Sequence, residues 1–211
     1  MKIAAIIEAR MGSTRLPGKT MAKVVGKPML ELMIERVKRS KLINEVIVAT
    51  TENTDEKEII DLTNRLKIPC FRGSEEDVLL RVLGAATKHK VDIIVELTAD
   101  CPFADPQIID EVIQKYLSGN YDHVSNISKR SFPRGLDVQV FSTKVLKKVA
   151  SLTNDPIDRE HVSLYIYKHP KIFKLGHIIA PPSLRRHYRL TVDVELDLEL
   201  TRRIYQFFYR Y

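Results

Sequence analysis

An α/β fold with a largely parallel sheet is what this chain predicts, on two observations. Short apolar runs alternate with amphipathic helical stretches from Ile3 to Leu117, the pattern of strands joined by helical crossovers. The first run, Ile3 to Ile7, gives way directly to a loop dense in glycine and positive charge, Glu8 to Lys19. A buried strand that delivers its C-terminal end to such a loop faces a ligand there. At 211 residues and 44% apolar composition the chain is long enough for one well-buried core and short for two, so one domain over 1–211 is expected.

The elements follow in order. Pro28 to Arg39 carries Met29, Leu30, Met33, Ile34 and Val37 at helical spacing, with Pro28 as first helical residue. Glu45 to Thr50 alternates as a strand, Asp55 to Leu66 is a helix with an acidic first turn, and Ile68 to Phe71 is a short strand. Val78 to Lys88 forms a helix with Ser74 or Asp77 at its start, and Val91 to Leu97 the next strand. Pro106 to Leu117 is a helix with Asp105 as N-cap, closed by a left-handed residue at Gly119-Asn120. Tyr121 to Ile127 and the alternating stretch Leu136 to Phe141 read as strands. A helix starts at Asn154-Asp155-Pro156, a short strand spans Arg189 to Val192, and a last amphipathic helix begins near Glu195. The aromatic end, Ile204 to Tyr211, is expected to dock on the chain's own core or on a second subunit.

The net charge of +7 and pI near 9.3 favour an anionic partner: nucleic acid, a membrane surface or a polyphosphate. No block of five or more like charges occurs, which weighs against nucleic acid. No stretch approaches the apolar length of a membrane span, and the opening apolar run is too brief for a secretion signal. Cys70 and Cys101 are isolated, without metal spacing. A cytoplasmic protein with reduced thiols is expected.

The chemistry concentrates in the first loop. Gly12 and Gly18 permit close backbone approach to an anion, and Arg10, Arg15 and Lys19 add three cations within ten residues. The loop reads as a phosphate cradle, the alternative being a solvated basic turn. It is no P-loop, since Gly12 to Gly18-Lys19 encloses five residues where that motif has four, and the Gly-x-Gly-x-x-Gly fingerprint is absent. Asp100, past a buried strand and before Pro102, is placed to present a carboxylate to a metal or simply to solubilise a loop. Arg72 and Ser74 either belong to a helix start or touch a ligand at a strand's carboxyl end. His161 has no Cys or second His at ligand spacing, so it reads as a buried or hydroxyl-binding residue. No nucleophile elbow or activated cysteine is evident.

Arg10-Met-Gly-Ser-Thr-Arg-Leu-Pro-Gly-Lys19 closely resembles the CTP-binding loop of the cytidylyltransferases that activate acidic sugars, the acylneuraminate and 3-deoxy-manno-octulosonate type, and most closely the spore-coat polysaccharide branch. Thr98-Ala-Asp-Cys-Pro102 and Thr191 to Glu199 resemble that family's two acidic elements, with Glu195 departing from the usual proline. The resemblance implies a Rossmann-like, three-layer, mostly parallel mixed sheet of the nucleotide-diphospho-sugar transferase type. It implies transfer of CMP from CTP to a sugar with release of pyrophosphate, and a homodimer. It further implies nucleotide contacts by Glu8, Ala9, Arg10, Met11, Gly12, Ser13, Arg15, Lys19, Arg72, Ser74, Thr98 and Ala99, with Arg10, Arg15, Lys19 and Asp100 catalytic. Mg²⁺ would be held by Asp100 and Asp193, and the sugar met by Arg134, Asp137, Glu160 and His161. Another nucleoside triphosphate, a sugar 1-phosphate acceptor, or a basic nucleic-acid-binding protein are the competing readings.

Overall fold

In the computed structural model, which describes residues 1–209, β1 (Ile3–Glu8) is an inner strand of the parallel part of the sheet. It pairs in parallel with β4 (Glu45–Thr51) on one side and β6 (Ile93–Thr98) on the other, and β5 (Cys70–Gly73) extends β4, again in parallel. Beyond β6 the sheet turns mixed. β8 (Gln139–Ser142) runs antiparallel to β6, β7 (His123–Ser125) antiparallel to β8, and β9 (Leu175–His177) parallel to β7. The order is β5-β4-β1-β6-β8-β7-β9.

Both faces are covered, as a parallel sheet requires. Alternation along β1 sends Ala5 and Ile7 to one face, against α1 (Met29–Val37), α2 (Lys57–Leu66) and α4 (Pro106–Leu117). It sends Ala4 and Ile6 to the other, against α3 (Val78–Lys88), α5 (Thr143–Leu152) and α7 (Leu164–Lys168). The long α8 (Glu195–Phe208) packs Leu198 and Tyr205 on Met29, Leu32 and Phe103 in a separate apolar cluster.

Several sequence expectations need correcting. α1 starts at Met29, because Lys27–Pro28 (β3) pairs with Lys23–Val24 (β2) in a miniature hairpin. α5 is a helix that the sequence analysis leaves unassigned, although Ser142 caps it and Val145, Leu146 and Val149 have helical spacing. Gly119 is not left-handed; a side chain there would strike the ring of Tyr121, 2.3 Å from its Cβ position. The helix from Pro156 is only α6 (Pro156–Glu160), broken before α7 around Val162, whose φ is +35°. Arg189 to Val192 forms no strand beyond one bridge between Arg134 and Arg189. Of the aromatic end, Tyr205 docks on the core, Ile204 and Tyr209 pack against the same cluster, and Phe207 and Phe208 are exposed; Arg210 and Tyr211 lie outside the described residues.

That bridge explains Gly135. Its φ is +96°, and an added Cβ would sit 2.6 Å from the carbonyl carbon of Leu190. Gly135→Ala should therefore destabilise the protein by about 2–4 kcal/mol, read as a lower urea midpoint; an unchanged midpoint would contradict the clash.

Candidate active site

The carboxyl ends of β1 and β6 open into a cleft of about 810 Å³, the position where open parallel sheets receive ligands. The loop after β1 forms one wall. Gly18 closes it with a φ of +70°, suited to glycine, while its N–H donates to the Met11 carbonyl at 3.1 Å. The Thr20 hydroxyl donates to the Arg10 carbonyl at 3.0 Å.

The loop is clamped from below by a residue that the sequence analysis passes over. Glu56 is 1% exposed. Its carboxylate accepts the Met11 N–H at 3.2 Å and the hydroxyls of Thr50 and Thr51 at 2.7 and 2.8 Å. Nothing local distinguishes it from any acidic residue at a helix start; only the adjacency of β4 and the loop gives it this role. Glu56→Ala strands these buried donors, so a loss of about 2–4 kcal/mol is expected, together with weaker nucleotide binding. Chemical denaturation checks the first; unchanged stability would refute the clamp.

Lys19 organises the centre. Its side chain is 15% exposed, and its ammonium donates to the Val192 carbonyl at 2.7 Å and to Asp193 Oδ1 at 3.0 Å, and lies 4.0 Å from Asp100 Oδ2. The two distant acids thus stand around one cation. The Val192 N–H donates to the Asp100 carbonyl at 2.8 Å, which ties the two segments together. Asp193 also pairs with Arg15 at 3.0 Å and Arg189 at 2.5 Å. Burial pushes its carboxyl up, but the hydrogen bond from Lys19 and the charges of Lys19, Arg15 and Arg189 override this and hold it below the ordinary aspartate range. Asp197 fixes the turn by accepting the Asp193 N–H at 2.9 Å. The Thr98 hydroxyl donates to Asp100 Oδ1 at 2.5 Å.

Of the expected site residues, the cleft gathers Glu8, Ala9, Arg10, Gly12, Ser13, Arg15, Lys19, Thr98, Ala99, Asp100, Glu160, His161 and Asp193. Five lie outside its lining. The Met11 side chain packs on the core and its N–H serves Glu56. Arg72 is spent on the carbonyls of Thr51 and Asn53 at 3.1 and 3.0 Å, and the Ser74 hydroxyl accepts the Asp77 N–H at 3.0 Å. Asp137 forms a two-pronged pair with Arg130, and Arg134 is exposed with its backbone bridged to Tyr188. His161 is exposed on the cleft wall, which removes the buried alternative. Arg81 was missed. It is a 3% exposed arginine among the apolar residues of α3, and that misfit was its visible signal.

A cleft at the carboxyl edge of a parallel sheet, with a cationic glycine loop and two acids sharing one cation, defines an α/β protein built to hold a polyanionic nucleotide. The match extends well beyond the loop: residues 4–210 fit the cytidylyltransferase family, and the chain belongs to it. It is 31% identical over 210 residues to the spore coat polysaccharide biosynthesis protein SpsF of Bacillus subtilis, spanning 97% of this chain and 86% of that one. To the 3-deoxy-manno-octulosonate cytidylyltransferase of Geobacter metallireducens it is 30% identical over 207 residues, covering 86% of this chain and 81% of the other. A solved cytidylyltransferase structure from Leptospira borgpetersenii superposes with a TM-score of 0.94 at 34% identity, over 100% of this chain and 89% of that one. No described helix is long and apolar enough to cross a membrane.

Proposed function

We propose that this protein transfers CMP from CTP to an acidic 2-keto sugar, releasing pyrophosphate, in the synthesis of a surface polysaccharide. The observation that carries the reading is the Lys19 ammonium between Asp193 and Asp100. The name of the Geobacter relative supports the acceptor class, and that of the Bacillus relative the polysaccharide role.

The residues fit a divalent ion. The Lys19 ammonium already stands where a cation meets both acids, and the donors are hard carboxylate oxygens with the Val192 carbonyl beside them. No group of three or more His, Cys, Asp or Glu that could hold a metal occurs among the described residues. Two carboxylates, completed by substrate phosphates, suit magnesium better than a metal needing a full protein cage. Bound there, Mg²⁺ would neutralise phosphate charge and make a sugar hydroxyl easier to ionise.

The chain's own groups then do the rest. Lys19 and Arg15 exchange Asp193 for the triphosphate, and Arg10, now 3.3 Å from Glu75, opposes its charge at the cleft mouth. Glu160 and His161 on the far wall hold acceptor hydroxyls. The sugar hydroxyl attacks the α-phosphorus and pyrophosphate leaves, a displacement in which positioning and charge suffice and no protein nucleophile is needed.

Incubation with Mg²⁺ and each nucleoside triphosphate against acidic sugars and sugar 1-phosphates, reading pyrophosphate release, tests this. Release with CTP and an acidic 2-keto sugar is expected. Release only with another nucleotide or a sugar 1-phosphate would replace the substrates and keep the class, and none with any pair would overturn the reading.

A further inference from the structure

In the ring form of an acidic 2-keto sugar the attacking hydroxyl and the carboxylate are substituents of one carbon, so wherever that hydroxyl reacts the carboxylate stands beside it. Here that place is the centre formed by Asp100 and Asp193 around Lys19. Two carboxylates oppose a third at such close range. The acceptor therefore needs a cation at this centre that the triphosphate does not use.

Arg189 meets that need. The two oxygens of Asp193 serve different parts of the chain: Oδ1 takes Lys19 and Arg15, each at 3.0 Å, and Oδ2 takes Arg189 Nη2 at 2.5 Å. Lys19 and Arg15 come from the loop after β1, whereas Arg189 comes from the exposed stretch 181–189 between β9 and α8. Its backbone is held on both sides, since the Arg134 N–H donates to the Tyr188 carbonyl at 3.1 Å and the Leu190 N–H to the Arg134 carbonyl at 2.8 Å. Arg189 is thus tied at once to Asp193 and to the segment from Arg134 to Asp137, where the sugar is expected. A guanidinium carries five N–H donors in a fixed fork. Among the described residues Arg189 spends one of them, on Asp193; Asp197 Oδ2 lies 3.7 Å away and already accepts the N–H groups of Asp193 and Val194, at 2.9 and 3.1 Å. At 49% side-chain exposure the rest of the fork is open to a ligand. Other arginines are engaged elsewhere, Arg81 with the carbonyls of Ser74 and Glu75, and Arg130 with both oxygens of Asp137. Among the described residues the cations paired with Asp100 and Asp193 are Lys19, Arg15 and Arg189, and Arg134 is not one of them.

We propose that Arg189 selects an acidic acceptor: one of its Nη atoms holds Asp193, and the free part of its guanidinium pairs with the carboxylate of the sugar. The inference deepens the function proposed above and rests on it for the acceptor class.

The experiment compares an acidic 2-keto sugar with its own carboxamide. The acid is the one that gives the fastest pyrophosphate release with CTP, 3-deoxy-manno-octulosonate being the first used. Calorimetry measures each ligand binding to the protein loaded with Mg²⁺ and the non-reacting α,β-methylene analogue of CTP. The natural protein should bind the acid about 30-fold more tightly than the carboxamide, the scale of a charge-assisted pair. In Arg189→Gln that preference should shrink to about threefold or less. Arg189→Lys keeps a charge beside Asp193 but lacks the fork, so its preference should fall in between, and it carries the test if the glutamine variant does not fold. A role confined to holding Asp193 would weaken acid and carboxamide alike; an unchanged ratio in the folded variants therefore overturns the proposal. So does a ratio lost in Arg134→Gln and kept in Arg189→Gln. No preference in the natural protein, with pyrophosphate release intact, removes Arg189 and leaves the proposed function standing. If no acidic 2-keto sugar supports that release, the proposed function falls and this inference with it.

Discussion

Lys19→Ala should slow pyrophosphate release about 10²–10³-fold, the scale of losing one preorganised charge at a transition state. Of the three loop cations Lys19 is the best shielded, at 15% side-chain exposure against 48% for Arg10 and 66% for Arg15. Its interactions are therefore the least weakened by water. The same substitution removes the cation between Asp100 and Asp193. The two acids are then left to repel each other, and Mg²⁺ should raise the melting temperature of Lys19→Ala more than that of the natural protein. Steady-state kinetics and thermal melts with and without Mg²⁺ read both effects. A near-normal rate together with equal Mg²⁺ shifts would remove Lys19 from the centre of the site.

Asp193→Asn should have an effect of similar size or larger, with loss of about 10³-fold in rate and loss of the Mg²⁺-dependent melting shift. Stability should change as well, because Lys19, Arg15 and Arg189 all converge on this carboxylate. The sign with pH follows from the direction of the shift. Asp193 is held below its unfolded value, so its contribution is present above the ordinary aspartate range of about 4 and disappears as pH falls through the lower, folded value. The natural protein should thus be more stable than Asp193→Asn at neutral pH, and the two should approach each other in acid. A stability gap that persists unchanged into acid would mean that these cations do not depend on the Asp193 charge.

Much of the architecture was legible in the residues. The helices Val78 to Lys88 and Pro106 to Leu117 begin and end where periodicity and capping place them, with Asp77 and Asp105 accepting the first-turn N–H groups. The first strand, expected over Ile3 to Ile7 and found over Ile3–Glu8, and the family carried by Arg10 to Lys19 were equally readable. Arg189 to Val192 misled because its β-branched residues look like a strand, whereas their backbone contacts are with Asp100 and Arg134, one hydrogen-bonded pairing at a time. Arg72 misled in another way: it stands beside a strand end as a ligand-binding residue would, yet neighbouring carbonyls consume it.

From the amino-acid order alone came the elements, the cationic loop and the acids, since helical periodicity, caps and loop chemistry act between residues a few positions apart. Only the folded chain decided that β1 lies between β4 and β6. That neighbourhood brings Glu56 under the loop and sets Glu8 beside Glu96 and Asp100. The packing of α8 and the turn before it carries Asp193 to Lys19 across 174 positions of sequence. Such meetings arise from the packing of whole layers around a shared core, and no local pattern encodes which layers will touch.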